Sequence, residues 1–138
     1  MVTEDYVSLE TAKLLKEKGF DEKCMSYYGH GEFQLGHPKY MKSNTDRDGV
    51  AFNGVPYDAY NAPTLQMAMK WLRREHNLHC NSDYDIVLGW YCQITSLTET
   101  VEYDYEEMKH YHPDKDNGFS SPEEACEEAI KYCLENLI

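Results

Sequence analysis

His76, His79 and Cys80 are the residues of this chain closest to a metal-binding set. Two imidazoles three positions apart at a helix end can reach one ion, and a neighbouring thiolate adds a soft ligand. There is no second pair such as C-x-x-C, so a fourth ligand must come from afar. His76 also falls on the apolar stripe of a helix. That favours a packed His76 and an exposed His79 near the helix C-terminus, where positive charge is welcome. Asn44, Asp46, Asp48 and Gly49 imitate the first half of a calcium loop, but Val55 stands where the bidentate glutamate belongs. His112, Asp114, Asp116 and Glu123 make a second partial frame, headed by a histidine and with Asn117 replacing the turn glycine. Both read as acidic turns. Cys24, Cys80 and Cys92 are conceivable nucleophiles with six histidines as bases, yet no local spacing holds a thiol beside a base. G-x-S-x-G, a phosphate-cradling glycine loop and H-E-x-x-H are all missing from the sequence. The expectation is a non-enzymatic protein with no cofactor; zinc binding through His76, His79 and Cys80 is the alternative.

Charge narrows the partners. With 25 acidic against 13 basic residues among 138, the net charge of −12 repels phosphate backbones and anionic lipid. Direct nucleic-acid binding and membrane association are disfavoured. Five cysteines, an odd number at wide spacing, do not read as a disulfide frame, and reduced thiols in a cytoplasmic protein fit best. No stretch approaches the ~18 apolar residues of a membrane span.

The elements that must position these residues are legible in part. Ser8, Glu10, Lys16, Lys18 and Gly19 bracket a helix over about 8–18. Cys24 to Tyr28, extending toward Leu35, reads as a strand or hairpin. Residues 36–62 lose periodicity and read as a long irregular loop, partly docked through Tyr40, Phe52, Tyr57 and Tyr60. Pro63 and Thr64 open a second helix whose stripe is Leu65, Ala68, Met69, Leu72 and His76, ending near Asn77. Leu78 to Cys80 suggests a short strand. Ile86, Leu88, Trp90, Cys92 and Ile94 alternate with Val87, Gly89, Tyr91, Gln93 and Thr95, the best strand of the chain, with Gly89 marking a bulge or a hairpin turn. Val101, Tyr103 and Tyr105 predict an antiparallel partner with one acidic face. Ser121, Pro122 and Glu124 start a last helix with the buried stripe Cys126, Ala129, Ile130, Cys133, Leu134 and Leu137. The sum is a single α+β domain over 1–138: a small, mainly antiparallel sheet with three helices on one face.

Three segments together carry a likeness: Tyr60 to His79 with its Asn-Ala-Pro-Thr helix entry, Gly89-Trp-Tyr-Cys-Gln-Ile, and Ser121-Pro-Glu-Glu-Ala-Cys. From about Tyr6 onward the chain resembles small uncharacterised proteins of gut-bacterial genomes and their prophages or mobile elements. The resemblance implies a cytoplasmic single domain and lends no activity.

The function expected from this reading is that of an accessory protein that binds another protein. Contact is expected on the 36–62 loop and the Trp90-Tyr91 strand, through Tyr40, Phe52, Tyr57, Tyr60, Trp90 and Tyr91. A second reading treats Glu123, Glu127, Glu128 and Glu135, spread over about 18 Å of straight helix, as a mimic of DNA phosphates that occupies a host protein's basic groove.

Overall fold

The computed structural model describes residues 2–48, 51–52, 55–56, 58–87, 89–98, 102–103 and 118–138. Helices and antiparallel strands mix in an α+β fold, and the chain divides into two compact units, Met1–Thr64 and Leu65–Ile138. The described strands are shared among three small sheets rather than gathered into one. Among the described residues no helix is long and apolar enough to cross a membrane.

In the first unit, α1 (Leu9–Glu17) begins where the Ser8 side chain accepts from the Thr11 N–H at 3.2 Å. It stops before Gly19, whose φ of +93° an L residue with a side chain resists. Its inner face buries Thr11, Ala12 and Leu15. Where a strand or hairpin is expected, the strands β1 (Ser26–Gly29) and β2 (Glu32–Leu35) form a hairpin. His30 and Gly31 both have positive φ at its turn, the backbone that matches the strand twist.

The stretch expected to be an irregular loop carries elements of its own. A 3-10 turn (Pro38–Tyr40) leads to the one-turn helix α2 (Asn44–Arg47). Short strands β3 (Ala51–Phe52) and β4 (Val55–Pro56) pair with each other, and β5 (Ala59–Asn61) lies antiparallel on β1. The physical reason is a set of long-range bonds that no periodicity announces. The Asn61 amide donates to the carbonyls of Lys42 at 2.7 Å and Glu22 at 3.0 Å. Asn44 donates to the Phe20 carbonyl at 2.7 Å and accepts from the Asn61 N–H at 2.8 Å. Buried Arg47 donates to the Asn61 side-chain oxygen and, at 2.9 Å, to the Cys24 carbonyl, with its guanidinium 4.1 Å from the centre of the Tyr27 ring.

In the second unit, α3 (Leu65–His76) buries Leu65, Ala68, Met69, Trp71 and Leu72 and ends at Asn77, whose φ of +55° suits a short amide residue. The strands β6 (Leu78–Asp85) and β7 (Gly89–Ser96) form a long hairpin, with Cys80 opposite Ile94 and Ser82 opposite Cys92. β8 (Glu102–Tyr103) adds to β7 antiparallel; Val101 and Tyr105 lie outside the described residues. The final helix α4 (Pro122–Tyr132) is capped by Ser121, which accepts from the Glu124 N–H at 3.1 Å. Glu124 reaches back one residue further than a standard capping box, to the Ser120 N–H at 3.2 Å. A π-helical turn (Cys133–Leu137) follows.

α4 packs on β6 and β7, and α3 packs on β6 and α4. The core holds Leu72, Leu78, Cys80, Cys92, Ile94, Ala125, Ala129, Ile130, Cys133 and Leu134. Cys126 and Leu137, expected inside, are only half-buried, while Ala125 takes an inward position. Glu127 and Glu128 are half-buried as well.

Candidate functional site

His79 and Cys80 are neighbours on β6, so the strand's alternation sends their side chains to opposite faces. Cys80 is buried with its sulfur 3.6 Å from that of Cys133, and His76 sets its ring edge-on to Trp71 at 4.8 Å between centroids. The three residues expected as a zinc set do not converge. Among the described residues no group of three or more His, Cys, Asp or Glu side chains is arranged to hold a metal ion. In the first calcium-like frame, Asn44 is committed to Phe20 and Asn61, while the Asp46 carboxylate accepts from the Ser43 N–H at 3.2 Å. That bond and the Ser43 hydroxyl hold the Asp46 carboxyl below its ordinary range. His112, Asp114 and Asp116 of the second frame lie outside the described residues.

Burial pushes the Cys24 thiol up to about 11 in spite of nearby Arg47. It pushes Cys92 up to about 12, reinforced by Cys80 and Cys126. A nucleophilic thiol needs the opposite perturbation.

The residues expected to meet a partner divide. Tyr40 is exposed on the 3-10 turn, its ring 5.9 Å from that of His37. Tyr60 is half-buried, with the ammonium groups of Lys16 and Lys13 at 5.1 and 5.7 Å from its ring centre. The Phe52 side chain and Tyr57 lie outside the described residues. Trp90 meets Tyr84 edge-on at 5.1 Å, across the hairpin from it, and Tyr91 is half-buried on the opposite face.

Of the two readings offered for Gly89, the structure has the hairpin turn, and the surface feature that sequence reading missed is the exposed apolar tip it creates. Ile86 is 90% exposed, Val87 83% and Tyr84 55%, beside Trp90. The alternation expected to begin a strand at Ile86 is interrupted by a turn that places Ile86 and Val87 between β6 and β7. The Asp85 carboxylate makes that turn by accepting from the Val87 N–H at 2.8 Å, and Gly89, opposite Asp85, supplies a φ of +87° on the return. Asp83 similarly accepts from the Tyr84 N–H at 2.8 Å. The signal was present as Asp85 and Gly89 four positions apart, a spacing masked by the apolar residues between them.

Chemically, this is an apolar ridge with carboxylates at its base. From Leu78 to Ser96 the sequence holds no lysine or arginine. The first unit also exposes Leu35, Tyr40, Met41 and, at 40%, Phe33, whose ring meets those of Tyr6 and Tyr28 at 5.0 and 5.6 Å. Compared with protein-family models, with curated proteins and with solved structures, the chain matches none.

Proposed function

We propose that this chain is a protein-binding accessory protein and that the β6–β7 tip is its contact surface. The observation that carries the reading is the pair Ile86 and Val87, held almost fully in water by a turn in which the Asp85 carboxylate accepts from the Val87 N–H. Leaving two β-branched side chains in water forgoes about 1.5–3 kcal/mol each that burial would return. A partner that covers them recovers that energy on a preformed scaffold, so little ordering cost opposes binding.

Charge selects the partner's chemistry. Asp83 and Asp85 flank the ridge on a chain of net charge −12, so the fitting surface is an apolar pocket on a protein, rimmed by lysine or arginine. Trp90 and Tyr84 beside the ridge are the side-chain types that dominate such hot spots.

The test is a paired capture from cell lysate with the wild-type chain and the Ile86→Asp/Val87→Asp variant, resolved by quantitative mass spectrometry at low and at high salt. Proteins retained by the wild type, lost with the variant and weakened by salt support the reading. Identical retention by both chains refutes it, as does recovery of the tip on neutral lipid vesicles with no protein partner.

A further inference from the structure

Four of the five cysteines lie in the second unit, and two of them touch. The Cys80 and Cys133 sulfurs are 3.6 Å apart, one on β6 and one on the turn after α4, 53 positions away in sequence. Both residues are at most 3% exposed, and all five cysteines are free thiols. The contact falls where α4 changes to π-helical hydrogen bonding: Cys133 is the first residue of that turn. Such register changes recur at functional positions in helices. The sulfurs stand in van der Waals contact, and a bond closes when their 3.6 Å separation falls to about 2.05 Å.

We propose that Cys80 and Cys133 form an oxidisable dithiol site, closed to a disulfide by exchange with a low-molecular-weight disulfide. The Cys133 thiolate attacks one sulfur of the reagent and releases one equivalent of small thiol. The Cys80 thiolate then attacks the Cys133 sulfur of the mixed disulfide and releases the second. Two protein thiols are oxidised, one small disulfide is reduced to two thiols, and the two protons pass to the released thiolates.

The environment sets the rate. The hydrogen bond to Cys133 and burial both hold the Cys80 thiol in its protonated form. Reaction therefore waits on an opening of the terminal turn, whose outer residues Glu135 and Asn136 are exposed. Cys126 is half-buried on the same helix and is the thiol that a merely surface-directed reagent reaches first.

The experiment treats the reduced full-length chain with excess oxidised glutathione, quenches with acid, and maps peptides without reduction. The expected product has lost two hydrogens, carries no glutathione, and contains a Cys80–Cys133 cross-linked peptide. Its formation accelerates in mild urea, and its melting temperature lies above that of the reduced chain because a 53-residue separation is bridged. Cys126→Ser retains the cross-link at a rate within about twofold, whereas Cys133→Ser abolishes it. Because the primary readout is on the wild-type chain, a variant that folds poorly does not decide the outcome. Glutathione accumulating on Cys126 with Cys80 and Cys133 still reduced overturns the proposal. A cross-link to Cys92 in place of this pair does so too, as does retention after dialysis of stoichiometric zinc that blocks oxidation.

Discussion

In the first unit Thr11, Ser26, Ser43, Asn44, Arg47 and Asn61 are buried along with Val7, Ala12, Leu15 and Phe20, and among the described residues these six are all the buried polar or charged ones. The second unit buries aliphatic, aromatic and thiol side chains. The difference follows from what each must hold. The first joins segments distant in sequence, and buried polar side chains do it: the Asn61 amide spans the Glu22 and Lys42 carbonyls, and the Arg47 guanidinium reaches the Cys24 carbonyl. The helices and hairpin of the second unit pair their backbone internally and leave the interior to packing. A polar interior ties a unit to one arrangement through directional bonds; a packed hairpin can project its tip into water, and here it does.

Substitutions that remove directional bonds should separate the two units most sharply. Asn61→Leu strips the Lys42 and Glu22 carbonyls and buried Arg47 of a partner at once. We expect a loss of about 4 kcal/mol in urea unfolding, and a loss below about 1 kcal/mol would show that the network is ornamental. Leu134→Ala tests the other interior, where a cavity beside fully buried Ile130 should cost about 3 kcal/mol. The matched cap deletions Ser8→Ala and Ser121→Ala, one in each unit, should each cost about 1 kcal/mol by the same assay, since each hydroxyl serves one backbone donor.

Acid sharpens the contrast further. Asp46 has its carboxyl lowered by the Ser43 backbone and side chain, so its contribution is present above the ordinary carboxylate range and fades as pH falls through the lowered value. Asp46→Asn should flatten that part of the stability profile below about pH 4. The smallest stability effect belongs to Ile86→Asp/Val87→Asp, within about 0.5 kcal/mol of wild type, because side chains this exposed have little folding energy to lose.

How far the residues alone disclosed this molecule depended on the range of the forces. Ser8, Asn77 and Ser121 act within one helical turn, and the helices they bound lie where the spacing predicted. The α+β class follows from those helices and the alternating strands. The segment 36–62 was opaque because its order comes from bonds spanning 19 and 39 positions, which leave no periodic trace. The exposed hairpin tip was obscured differently. Ile86 and Val87 continue the alternation of the strand that follows, so the hydrophobic pattern reads as strand two residues that Asp85 and Gly89 place in a turn. His79 and Cys80 looked like a ligand pair in sequence, and adjacency on a strand is what separates them.

The central claim is that binding energy sits on the hairpin tip and is separable from folding. Its most direct test is the affinity of the captured partner for the wild-type chain and for the Ile86→Asp/Val87→Asp variant, with equal circular dichroism and melting temperature established for both. The account predicts affinity at least about tenfold weaker for the variant. Affinity within about twofold for an equally folded variant would contradict it.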